Sequence, residues 1–187
     1  MRMAILIAVA ALLAACGDSG AGGAAKDMAG AAPAGNLAVV NGDFEQTSAE
    51  TAVPGWVALQ HNGPPSYDMV IEPAAAHSGH GGFRMTRTHE QVYGTLAQDI
   101  RLPQSSGEIE LAAMMKSKDV GPGGWKLMLV AGGLPEYSAP MTGSNDWQRV
   151  AVRVKVKPGT TSIRIGATLL DAGTGWMDDV QLRTIAP

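Results

Sequence analysis

Between residues 150 and 157, valine alternates with small or charged side chains: Val150, Val152, Val154 and Val156 against Ala151, Arg153, Lys155 and Lys157. A period of two puts all four valines on one face and the charges on the other, which a helix of period 3.6 cannot do. Pro158-Gly159 then turns the chain, and Ile163, Ile165, Ala167 and Leu169 repeat the alternation. Ala172-Gly173-Thr174-Gly175 marks a second turn into a run from Trp176 to Thr184, where the same period points Val180 and Leu182 one way. Read so, Asp178 shares their inward face. Three strands joined by short turns fix the character of the C-terminal third.

Upstream, shorter strand candidates cover residues 37–40, 55–60, 67–72, 83–88, 95–102, 108–116 and 125–131. Asn62-Gly63-Pro64-Pro65, Ser78-Gly79, Gly81-Gly82, Gly121-Pro122-Gly123-Gly124 and Gly132-Gly133 separate them, and these dipeptides punctuate chains rather than continue them. No long amphipathic helix with caps is present. About ten short strands at this spacing predict an all-β fold: a two-sheet antiparallel jelly-roll β-sandwich.

Several segments carry a family resemblance. Asn41-Gly42-Asp43-Phe44-Glu45 followed by Pro54-Gly55-Trp56 resembles the opening of CenC-type carbohydrate-binding modules. Ser78-Gly79 before Gly82-Phe83-Arg84-Met85, and Leu96-Ala97-Gln98-Asp99-Ile100, are similar to their next turn and strand. Asp146-Trp147-Gln148-Arg149-Val150 and Gly173-Thr174-Gly175-Trp176-Met177-Asp178-Asp179-Val180 resemble their closing strands. The resemblance spans about residues 41–182 and implies a galactose-binding-domain-like jelly roll.

The N-terminus has a different character. Met1-Arg2-Met3 precedes an apolar run from Ala4 to Ala15, and then comes Cys16. A helix of that run rises only about 18 Å, short of the ~30 Å hydrocarbon core, which reads as a secretory signal rather than a span. Leu13-Ala14-Ala15-Cys16 resembles the lipobox of bacterial lipoproteins. The expectation is a signal peptide over 1–15, an acylated Cys16 opening a Gly/Ala-rich tether over 16–35, and a jelly-roll binding domain over 36–187. The predicted location is the cell envelope, with the membrane a partner through the lipid. Gly17 after the cysteine resembles the default sorting to the outer membrane. Cys16 is the only cysteine, so no intramolecular disulfide forms. A formal net charge of −3 gives no reason to expect nucleic acid as a partner.

Candidate site residues follow from chemistry and from the resemblance. In CenC-type modules a structural calcium sits where the first loop meets the last strand. The resemblance therefore implies calcium ligands at Glu45 and Asp178, with Asp43 a weaker candidate; the alternative is that Asp178 simply accepts backbone hydrogen bonds. His77 and His80 have a tolerable zinc spacing but lie in a turn with no matching acidic or cysteine partner. Trp147 and Trp176 fall in motifs where the family packs its core, and Trp56 closes the first loop, half buried. That leaves Trp125, after a Gly/Pro loop, as the ring to stack on a sugar face. Arg84 is its candidate polar neighbour, and Tyr93 and Tyr137 line the same or another surface. No Gly-x-Ser-x-Gly, His-Glu-x-x-His or P-loop motif occurs. The sequence thus reads as a non-enzymatic module for a carbohydrate or other envelope ligand, or alternatively as a lipoprotein that binds a partner protein.

Overall fold

The computed structural model describes residues 35–61, 63–90, 93–102 and 107–185. The expected signal peptide, Cys16 and all of the expected tether but Gly35 lie outside the described residues. The described chain is all-β, with ten strands: β1 (Asn36–Leu37), β2 (Val57–Gln60), β3 (Tyr67–Glu72), β4 (Gly82–Arg87), β5 (Gly94–Arg101), β6 (Glu108–Val130), β7 (Glu136–Tyr137), β8 (Met141–Lys155), β9 (Ser162–Leu169) and β10 (Thr174–Ile185). A short 3-10 turn, Pro73–Ala75, follows β3. The expected two-sheet antiparallel jelly roll is what the chain forms.

One departure from the sequence reading organises the fold. Residues 108–116 and 125–131 are a single strand, β6, and it serves both sheets. Its first half lies between β8 and β10, with Leu111 opposite both Val152 and Leu182. Its second half pairs with β9 on one side and β7 on the other, Leu127 facing Ala167 and Met128 facing Tyr137. The first sheet therefore runs β8-β6-β10-β4-β3, with β1 beside the far end of β10, and the second runs β7-β6-β9-β5-β2. The Gly121-Pro122-Gly123-Gly124 stretch is the corner. Six residues of β6, Val120 to Trp125, span only three of β8, Gly143 to Met141. A wide bulge of this kind tolerates proline, and Gly124 takes a φ of +80° that an L side chain resists.

The faces turned toward each other are apolar and form one core, with Phe83, Met85, Leu111, Met115 and Leu182 from the first sheet and Leu96, Leu127, Leu129, Ile163 and Ile165 from the second. An aromatic chain runs through it: Trp56 lies 5.6 Å from Phe44, Phe44 lies 5.7 Å from Phe83, and Phe83 lies 6.5 Å from Trp125. Trp56, expected half buried, is inside this core.

The segments behind the family resemblance have structural work to do. Asn41, at φ +50°, donates from its amide to the Gln46 and Pro54 carbonyls and accepts from the Gln46 N–H. Gln98 accepts from the Val40 N–H and donates to the Val40 and Gly55 carbonyls. Two side-chain amides thus stand in for a missing strand ladder and satisfy backbone that is leaving a sheet.

Candidate functional site

An open cleft of about 520 Å³ lies on the outer face of the first sheet. Trp147 of β8 and Trp176 of β10 line it, with Lys116, Ser117 and Lys118 of β6 between them. Ser144, Asn145, Asp146 and Ala74 complete the wall. Both indoles are half-buried, so each keeps exposed surface. Trp176 stands directly opposite Lys116 in the ladder, and the Lys116 ammonium sits 5.8 Å from the centre of its ring. Asp146 is a looser neighbour of Lys116, at 3.8 Å. His77 braces Trp147 edge-on with ring centres 5.3 Å apart, and its Nδ1 lies 2.7 Å from an Asp179 carboxylate oxygen. Ser78 donates to the other Asp179 oxygen, so the residue 77–78 turn fixes the edge of the cleft.

Trp147 and Trp176 were expected in the core, and this placement corrects that expectation. The two rings come outside by different routes. In β10 the register slips between Asp178 and Gln181, with Asp179 at a φ of +51°. The extra residue reverses the alternation, so Asp178 and Trp176 face away from the core that Val180 and Leu182 enter. Asp178 is nonetheless fully buried, because the turn at His77 and Ser78 covers it. In β8 no slip is needed: Trp147 is out of phase with Val150, Val152 and Val154, so plain alternation sets it on the same outer face.

The predicted sugar-contacting residues do not assemble. Trp125 is wholly buried, donates from its indole N–H to the Trp176 carbonyl, and packs against Gly175, where any Cβ would strike the ring. It is a core residue because β6 begins its second half in register with Leu127 and Leu129. Arg84 lies on the cleft's side of the first sheet, opposite Trp176, but its guanidinium is spent on Glu72, Asp68 and Thr86. Tyr137 is exposed on the outer face of the second sheet, with the Lys126 ammonium 4.8 Å from its ring centre. Tyr93 is exposed just ahead of β5, in that same second sheet.

The acidic residues offered to calcium are engaged by backbone donors. Asp178 accepts from the N–H groups of His77, Ser78 and Asp179. Burial pushes its carboxyl above the usual aspartate range, and those three N–H groups oppose the rise. Glu45 accepts from the His80 and Gly81 N–H groups, which hold it below the ordinary glutamate value. Asp43 accepts only a long 3.5 Å contact from the Glu45 N–H. Among the described residues no group of three or more His, Cys, Asp or Glu side chains gathers for a metal ion. Through these bonds Asp178 and Glu45 pin the residue 77–81 turn to the last strand and the first loop.

Glu110, which alternation sets with Glu108 on the outer face of β6, is nonetheless buried there, its side chain 2% exposed. Arg149, Arg153 and Arg183 all bond to it, at 2.7, 2.6 and 2.8 Å. Burial alone pushes this carboxyl up, but the three guanidinium groups outweigh it and hold it at about 2.

No known family's sequence profile matches the chain, and no curated protein matches it. Solved structures do share its fold. The enzymatically active domain of bacteriophage CBA120 tailspike protein 4 superposes with a TM-score of 0.61 at 13% identity, over 78% of this chain and 21% of that one. The chain thus spans about a fifth of that domain's length. The module TmCBM61, solved in complex with β-1,4-galactotriose, gives a TM-score of 0.55 at 21% identity, covering 78% of this chain and 97% of the module. The CBM22-1 xylan-binding domain from Paenibacillus barcinonensis Xyn10C gives 0.52 at 13% identity, covering 78% and 93%. The fold is therefore the jelly roll found in carbohydrate-binding modules.

Proposed function

We propose that this protein is a non-catalytic, lipid-anchored module of the cell envelope that binds a glycan in the cleft between Trp147 and Trp176. The observation that carries the reading is the pair of half-buried indoles in one cleft with amide, hydroxyl and charged groups between them. A pyranose presents an apolar C–H face that an aromatic ring covers, while its hydroxyls need polar partners at the rim. Whole-domain likeness to modules solved with or named for β-1,4-galactotriose and xylan supports the ligand class. The lipobox-like Leu13-Ala14-Ala15-Cys16 supports the anchor.

The exposed Tyr137 with its overlying Lys126 favours a second position for the same ligand class, on the outer face of the second sheet. Calorimetry of the full chain against neutral and acidic oligosaccharides, repeated with Trp176→Ala and Tyr137→Ala, separates the two. Loss of binding with Trp176→Ala alone supports the cleft, and loss with Tyr137→Ala alone moves the site to the second sheet. Absence of binding to any glycan at millimolar concentration leaves a partner protein as the ligand.

A further inference from the structure

Resting on the cleft reading above, we infer that the glycan it takes is acidic, a uronate whose carboxylate is held by Lys116 and Lys118. The chain as a whole is anionic, yet the residues lining this cleft include two lysines against one aspartate. Lys116 and Lys118 lie two residues apart on β6, so strand alternation sends both side chains to the same outer face. That strand lies between the strands carrying Trp147 and Trp176. The Lys116 ammonium lies 5.8 Å from the Trp176 ring centre, and Lys118 lines the same cleft.

Neither lysine is committed to a tight ion pair. Lys118 has no ion-pair or hydrogen-bond partner among the described residues, while Lys116 meets Asp146 only at 3.8 Å. The Asp146 side chain is 90% exposed, so water screens that contact and it exchanges readily. The same Asp146 oxygen accepts the Trp147 N–H at 2.8 Å, which holds the carboxylate back at the β8 side. Asp119, next to Lys118, sits at a φ of +52° and takes a hydrogen bond from Ser144, while Asp179 at the cleft's edge is engaged by His77 and Ser78. A uronate keeps the apolar ring face that the indoles need and adds a carboxylate at the ring edge. A lysine point charge meets that group without demanding the planar two-point geometry of arginine.

The test is calorimetry of the full chain with oligogalacturonates and with neutral galacto-oligosaccharides of matched length. The expected result is about ten-fold tighter binding of the uronate series at low salt, as a charge-assisted contact contributes. That advantage shrinks as sodium chloride is added, because the charges are partly exposed. Lys118→Gln is expected to weaken uronate binding about ten-fold without lowering the melting temperature, and Lys118→Arg to retain most of it. Equal affinity for the two series, or uronate binding indifferent to Lys118→Gln, overturns the acidic specificity and leaves a glycan-binding cleft. No binding of either series overturns the glycan reading itself.

Discussion

Trp176 and Leu182 lie on one strand, an even number of residues apart, yet they face opposite sides of the sheet. Trp176 stands opposite Lys116 on the outer face, while Leu182 stands opposite Leu111 in the core. The bulge at Asp179 is the cause, and it is what puts an aromatic ring at the cleft.

The tryptophans therefore divide by role, and truncation should expose the division. Trp125→Ala is expected to cost about 3–5 kcal/mol, since it empties a fully buried site between Phe83 and Gly175. Trp176→Ala should instead lower glycan affinity about ten-fold, the value of one stacked ring, with a much smaller loss of stability. Melting curves and calorimetry on both variants check this. A Trp125→Ala protein that melts like the parent contradicts the core assignment.

Glu110 predicts an acid-sensitive step in stability. Its folded pKa of about 2 lies below the ordinary value of 4.5, so the folded state binds the proton less readily than the unfolded chain. The stabilisation is fully present above about pH 4.5 and is lost as pH falls toward 2. It amounts to at most about 3 kcal/mol, reduced because water reaches the half-exposed arginines. Glu110→Gln should flatten the pH dependence of urea midpoints across that window. An unchanged slope rejects the role given to the cluster.

The turn at residues 77–81 gives a test of calcium. Because Asp178 and Glu45 already accept backbone N–H groups, calcium and chelator are expected to leave the melting temperature of the full chain unchanged. Asp178→Ala should still destabilise by about 1–3 kcal/mol, as buried N–H groups lose their acceptor. A calcium-dependent rise in melting temperature that Asp178→Ala removes assigns an ion to this corner instead.

The anchor is tested at the other end of the chain. Detergent phase partitioning should send the wild-type protein to the detergent phase and Cys16→Ser to the aqueous phase, as an unprocessed precursor. Acyl chains joined to one thiol and one amine hold far more firmly than a single chain. Recovery of the wild type in the aqueous phase, with Cys16 unmodified, rejects the lipoprotein reading.

The sequence by itself determined the strands and most of their faces. Val150, Val152 and Val154 do point inward, β3 has the bounds the alternation predicts, and the glycine-rich turns divide most of the strands. It also held the clue to Trp147, which is out of phase with those valines. These features are legible because strand period and turn chemistry are local. What only the tertiary structure decided is where that period breaks. The four-residue Gly/Pro run looks like a turn between two strands, but the ladders of β8 and β9 carry β6 through it and so bring Trp125 inward. Nothing local marks Asp179 as the extra residue in β10; its left-handed φ is held by pairing with β6 and by the covering turn at His77 and Ser78. A one-residue slip in a strand exchanges every face beyond it, so the bulge at Asp179 is what turned Trp176 out to the cleft.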